Sequence, residues 1–182
     1  MGQEKKRKSA VREVFGWLLY LAVLAAAAFF IIHFVGEHTV VSGDSMQATL
    51  NDGDNLIVDK LSYRIRDPKR FEIVVFPFRY QTGTYYIKRI IGLPGEQVQI
   101  YNGQIYINGK VLDESYGLEP IRSAGLASKA ITLGEDEYFV LGDNRNNSAD
   151  SREPSVGTVQ KEDLIGRAVF RIWPLDAIGF LK

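Results

Sequence analysis

Ser45 stands in the stretch Val41-Ser42-Gly43-Asp44-Ser45-Met46, just after the β-branched run Thr39, Val40 and Val41. The Gly-Asp pair bends the chain before the serine and can present its hydroxyl at a strand end, where it can attack a bound carbonyl. The same residues also make an ordinary turn, so the motif acquires meaning only from its partners. A serine hydroxyl needs a base to take its proton, most often a histidine. The chain has only His33 and His38, within and just after a long apolar run, and it has no cysteine. Thiol catalysis, cysteine zinc sites and disulfides are thereby excluded. A base for Ser45 must be a lysine or a carboxylate.

The first candidate lies in Tyr85-Tyr86-Ile87-Lys88-Arg89-Ile90-Ile91-Gly92. On a strand, Tyr86, Lys88 and Ile90 share one face, and Ile87, Arg89 and Ile91 the other. Apolar neighbours on both faces bring at least one of the two cations toward a partly buried surface. Such a lysine ordinarily snorkels its charge to water. If walled in by Tyr86 and Ile90, it is instead driven toward its neutral form. Lowering a lysine from its usual pKa to about 7 or 8 requires about 3 to 4 kcal/mol from the site. An arginine cannot substitute, because it does not release its proton.

A second cluster, Gly142-Asp143-Asn144-Arg145-Asn146-Asn147-Ser148-Ala149-Asp150-Ser151-Arg152, is dense in short polar side chains. Asp143 with Arg145 and Asp150 with Arg152 are the ion pairs its spacing suggests. A calcium loop fits badly, because the glycine expected after the first acidic residues is replaced and no glutamate closes the loop. The loop is expected to support the site without binding metal.

These residues need a scaffold, and the pattern supplies strands. From Thr39 onward, short apolar runs are cut by turn signals, which predicts a mainly β domain. The strand candidates are residues 56–58, 73–78, 85–91, 98–101, 105–107, 138–141 and 168–173. Asn102-Gly103 and Asn108-Gly109 are two-residue hairpin signals, which predict a three-stranded meander. Pro77 points to an edge or a bulge. Gly53 to Lys60 reads as a turn feeding a strand. A helical pattern occurs only around Lys161 to Ile165, and residues 113–132 show neither period, which predicts a surface loop.

The 182 residues carry no net charge, yet Lys5, Lys6, Arg7, Lys8 and Arg12 crowd the start. A basic cluster can serve nucleic acid, but here it abuts Val14 to Val35, a run without a charged residue. As a helix this run is roughly 33 Å long, enough to span a hydrocarbon core. The expected organisation is therefore a cytoplasmic basic tail (1–13), a transmembrane helix (14–35) and an extracytoplasmic β-rich domain (36–182), oriented by the positive flank. A cleaved secretory signal would have a shorter apolar core. The expected partner is a lipid bilayer, with no nucleic acid.

The segments Ser-Gly-Asp-Ser-Met-Gln-Ala-Thr-Leu (42–50), Gly-Asp-Asn-Leu-Ile-Val-Asp-Lys (53–60), Tyr-Ile-Lys-Arg-Ile-Ile-Gly-Leu-Pro-Gly-Glu (86–96) and Gly-Asp-Asn-Arg-Asn-Asn-Ser-Ala-Asp-Ser-Arg (142–152) occur in this order behind the apolar run. Together they resemble the type I signal peptidases, membrane-anchored Ser/Lys proteases that remove N-terminal signal peptides from exported pre-proteins. The resemblance covers essentially the whole chain and implies a fold of antiparallel sheets. It also implies Ser45 as nucleophile, Lys88 as general base and Ser148 as the serine that orients that lysine. Asp143, Arg145, Asp150 and Arg152 correspond to a structural polar network. Val41, Met46, Leu50, Tyr86 and Ile87 fall where the family lines shallow pockets for small side chains. Neither metal nor organic cofactor is implied.

Two positions depart from the family pattern. Ala48 replaces a common proline, which loosens the turn after the nucleophile. Gly43 stands where some members carry a serine that helps hold the oxyanion, which leaves backbone N–H groups, chiefly that of Ser45, as donors. Glycine there resembles the branch found in Gram-positive bacteria. Two other classes fit parts of the pattern. A self-cleaving regulator with a Ser/Lys pair would carry a DNA-binding domain where this chain has its apolar run, and a tethered binding module would have no activity.

Overall fold

A computed structural model describes residues 13–26 and 36–181. Residues 13–26 form a helix, α1, whose apolar side chains, among them Phe15, Trp17 and Leu21, are exposed. Among the described residues no helix is long and apolar enough to cross a membrane. The rest of the predicted anchor, residues 27–35, and nearly all of the basic tail lie outside the described residues.

From Gly36 the chain is built of antiparallel strands in two sheets, as the alternation of short apolar runs and turns predicts. The larger sheet has the order β1 (Gly36–Val40), β2 (Asn55–Asp59), β11 (Gly166–Trp173), β3 (Ile73–Pro77), β4 (Tyr85–Gly92), β9 (Glu137–Leu141) and β10 (Val159–Gln160), with β12 (Gly179–Phe180) paired to β11. The smaller sheet has the order β7 (Lys110–Val111), β6 (Gln104–Ile107), β5 (Gln97–Tyr101) and β8 (Ile131–Thr132). Each of the seven candidate runs lies on a strand. Both Asn-Gly pairs turn the chain through positive φ, with Asn102 at 48° and Gly103 at 75°, then Asn108 at 50° and Gly109 at 77°. That is the conformation a two-residue hairpin requires, and the predicted meander β5–β6–β7 follows.

Three apolar clusters hold the sheets. Ile91, Val98, Ile100, Ile105, Phe139 and Leu141 join the smaller sheet to β4 and β9. Val74, Phe76, Ile90 and Val140 pack on the other face of the large sheet. Val41, Met46, Leu50, Leu56 and Ile73 fix the Ser45 turn. β4 contributes to the first two clusters because its residues alternate between faces and both faces are covered.

Three expectations need correction. β3 is an interior strand, but its pairing with β11 is recorded only at Val74 and Val75, so Pro77 sits beyond that partner and faces β4 alone. The helical signal near Lys161 is a single 3-10 turn, Lys161–Asp163, and the short helix α2 (Ser62–Ile65) has no apolar period to announce it. Residues 113–132 are not a detached surface loop. Ile121 and Ala127 are buried in the first cluster, and the segment ends in a 3-10 turn and β8.

Candidate active site

Ser45 lies in the turn between β1 and β2. The left-handed Gly43 (φ +89°) bends this turn, and the Gly43 N–H donates to Asp52 Oδ1 at 2.8 Å. Met46 and Leu50 anchor the other side in the core, and Leu50 N–H closes the turn on Met46 O at 2.8 Å. The turn is thus fixed at both ends even with Ala48 in place of proline. Lys88, in the middle of β4, is only 3% exposed, and its Nζ lies 2.8 Å from Ser45 Oγ and 3.0 Å from Ile87 O. The Tyr86 ring approaches the same nitrogen, with its centroid 5.0 Å away. Burial pushes the lysine down from 10.5 to about 8, while Asp150 and Asp143 pull against that shift. Desolvation wins because each of those carboxylates is already paired with an arginine.

The loop that follows β9 delivers those carboxylates. Asp143 meets Arg89 through two bonds, Nε to Oδ1 at 2.9 Å and NH2 to Oδ2 at 2.7 Å, both side chains having no solvent exposure. Thr49 Oγ1 donates to the same carboxylate, Arg89 also donates to Phe71 O, and the Tyr116 ring covers the guanidinium at 3.7 Å. Asp150 is held by Arg152, again bidentate at 2.7 Å for both bonds, and accepts from Gly142 N–H. Arg145 pairs with Glu114 at 2.6 and 2.9 Å and donates Nε to Gly142 O. The Asp150–Arg152 pair is the one expected. The expected Asp143–Arg145 pair is not formed, because each has a better placed partner from a distant segment.

The same loop touches the serine. Asn144 N–H donates to Ser45 O at 3.1 Å, and Asn144 Nδ2 donates to Asp44 O at 3.1 Å. A Cβ at Gly142 would overlap both Ser148 Oγ and Ser45 O, so these groups converge on a position that has no room for a side chain. The Ser148 hydroxyl is buried there without a hydrogen-bond partner among the described residues. Among the described residues no group of His, Asp or Glu side chains is arranged to hold a metal ion.

Comparison with known proteins decides the kinship. The family model for signal peptidase, peptidase S26, matches residues 14–173. The chain belongs to that family. A probable signal peptidase I-2 of Synechocystis sp. is 44% identical to this family member over 153 residues, spanning 81% of this chain and 68% of that protein. The signal peptidase I of Bacillus amyloliquefaciens is 36% identical across 100% of both chains. A solved signal peptidase I of Enterococcus faecalis is 37% identical and covers 57% of this chain and 97% of its own, with a TM-score of 0.48.

In this signal peptidase family member an open cleft of about 510 Å³ runs from Ser45 and Lys88 between two walls. Thr39, Val40, Val41, Ser42 and Met46 form one wall, and Gly83 to Ile87 the other. Of the five pocket residues expected, Val41, Met46, Tyr86 and Ile87 line the cleft. Leu50 does not; it is fully buried behind Met46 in the core. Arg89, Thr49, Tyr116 and Glu114 were not singled out as site residues. Arg89 is legible as the opposite-face neighbour of Lys88, which needs its own counter-charge once buried. Glu114 lies in a stretch with no period, and nothing near it in sequence points to Arg145.

Proposed function

We propose that the protein is a membrane-bound serine endopeptidase that cleaves N-terminal signal peptides from exported pre-proteins, with Ser45 as nucleophile and Lys88 as general base. The observation that carries this is the 2.8 Å approach of a buried, depressed-pKa lysine to a serine hydroxyl at the head of an open cleft. Neutral Lys88 takes the Ser45 proton as the oxygen attacks the scissile carbonyl, and the ammonium passes that proton to the departing amine. A water deprotonated by the same lysine then attacks the acyl ester, releasing the carboxylate product and returning the proton to Ser45. No cofactor takes part in these steps.

The main-chain N–H of Ser45 makes no hydrogen bond among the described residues, and it is the donor to the developing oxyanion. Ser148 is assigned the orienting of the lysine on the family resemblance and on a buried hydroxyl that has no other partner among the described residues, although Lys88 Nζ bonds to Ser45 Oγ and Ile87 O rather than to it. The polar network of Asp143, Arg145, Asp150 and Arg152 keeps the loop rigid and the neighbouring carboxylates neutralised.

The substrate lies extended in the cleft. Among the described residues β4 pairs with β3 along Tyr85 to Arg89, but with β9 only from Arg89 onward, and β1 has a partner only in β2. Two free strand edges thus face the cleft, which suits an added peptide strand. Walls of Val41, Met46, Tyr86 and Ile87 admit small side chains one and three residues before the cut and exclude large ones. The exposed apolar helix α1 begins the membrane anchor of residues 14–35, with the basic tail cytoplasmic and the β domain outside. Anchoring concentrates the cleft at the surface where the substrate's apolar segment resides.

The test is cleavage of a secretory precursor by the full chain in detergent or lipid, with the cut site identified by mass spectrometry. Ser45→Ala and Lys88→Ala each abolish the cut while the β-sheet circular dichroism is retained. Full activity in Lys88→Ala refutes the base assignment.

A further inference from the structure

We infer that Asn144 is a positioning residue that sets the orientation of the Asp44–Ser45 peptide, and with it the N–H that receives the oxyanion. The inference deepens the proposed chemistry and rests on Ser45 being the nucleophile. Asp44 O and Ser45 N belong to one rigid amide plane, so any group that fixes the carbonyl also aims the N–H on its far side. Two donors reach that carbonyl. Gln47 N–H does so from within the turn at 3.2 Å, and Asn144 Nδ2 does so from the loop after β9 at 3.1 Å. A carbonyl can only accept, so the amide nitrogen of Asn144, and not its oxygen, faces Asp44. The bond from Gln47 is local to the turn and ties the carbonyl to nothing outside it. The bond from Asn144 comes from a separate element braced by Arg145, Glu114, Asp150 and Arg152.

The Asn144 main chain completes the grip. Its N–H donates to Ser45 O, the carbonyl on the other side of the nucleophile. One residue therefore holds the peptide groups before and after Ser45. Only the first of these bonds uses the side chain, so the two can be separated by mutation. The hydrogen bond at Asp44 O also polarises the amide and strengthens its N–H as a donor. An interaction with charge that develops only in the transition state changes kcat and leaves substrate affinity alone.

The experiment uses the full chain in detergent with a precursor peptide, comparing wild type, Asn144→Ala, Asn144→Asp and Ser45→Ala. Both Asn144 variants keep the main-chain bond to Ser45 O. The expected result is a fall in kcat of about 10- to 100-fold in both variants, the range for a misaligned oxyanion donor. KM stays within about twofold. The rising limb of the pH profile in Asn144→Ala stays where it is in wild type, because the surroundings of Lys88 are unchanged. Asn144→Asp keeps the size of the side chain but cannot donate to Asp44 O, so it carries the test if the alanine variant is poorly folded. Unchanged kcat in either variant, or a rise in KM at constant kcat, overturns the positioning role while Ser45→Ala remains inactive. Cleavage surviving in Ser45→Ala overturns the parent proposal instead.

Discussion

Replacing Lys88 with methionine should destroy activity and make the protein more stable. The lysine is 3% exposed and its pKa has fallen from 10.5 to about 8, with burial as the leading cause. At about 1.4 kcal/mol per pKa unit, that fall corresponds to about 3 kcal/mol by which the folded state disfavours the charged amine. The unfolded chain binds the proton more tightly. The penalty is therefore fully present below pH 8, shrinks as pH rises from 8 to 10.5, and vanishes above. Lys88→Met, of similar length and without charge, should exceed wild type by about 3 kcal/mol at pH 7 and by under about 1 kcal/mol at pH 10. Urea unfolding of both proteins in the same non-ionic detergent at several pH values measures this, and the difference between them isolates Lys88 from every other titrating group. A gain that does not vary with pH, or no gain at pH 7, refutes the argument that desolvation holds this lysine near neutrality. With Lys88 as the proposed base, the same titration should govern cleavage in the opposite sense. With only about one lysine in ten neutral at pH 7 and half neutral at pH 8, kcat/KM should rise about fivefold between them and less than about twofold beyond.

Two further substitutions probe the surroundings of the pair. Arg152→Gln removes the partner of Asp150, whose charge already acts to raise the lysine. The rising limb of kcat/KM should move to higher pH, and a limb left in place separates Asp150 from the base. Gly142→Ala forces a methyl group against Ser45 O and Ser148 Oγ, so cleavage should fall by at least about 100-fold with the unfolding midpoint much less affected. Wild-type kinetics in this variant would mean that the loop and the serine turn do not need their close approach.

The strand content was legible because each run is short and apolar and is cut off by polar or turn-forming residues, Asn-Gly at two of the turns. Setting histidine and cysteine aside left a lysine or a carboxylate as the base for Ser45, and Lys88 stood out among these by its apolar strand neighbours and by the resemblance to the type I signal peptidases. Their distance was not legible, because 43 residues and two intervening strands separate them. The polar loop shows where neighbour reasoning fails. Asp143 and Arg145 are two residues apart, yet backbone direction sends one to Arg89 and the other to Glu114. Residues 113–132 lack a period because they are held by individual bonds. Arg122 N–H reaches Asn146 Oδ1, Asn146 Nδ2 reaches Pro120 O, and Leu126 N–H reaches Arg152 O. Bonds of this kind leave no repeating trace in a sequence. Leu50 was assigned to the substrate by analogy of position, but a turn must bury something to stay in place, and Leu50 serves that need.

Lys88 and Arg89 are adjacent, and the pleat sends them to opposite sides, one toward the serine and one toward a sealed carboxylate. A frame error of a single residue between β3 and β4 would exchange them. It would bring to Ser45 a guanidinium that never surrenders its proton, and leave a mobile ammonium facing Asp143. The tip joining these strands can therefore tolerate changes in length or composition only when the count of residues along β4 itself is preserved. Lengthening the tip between Arg79 and Thr82, before the cleft wall begins at Gly83, should leave turnover intact, whereas deleting one residue between Tyr85 and Lys88 should be lethal to it even if the sheet reassembles.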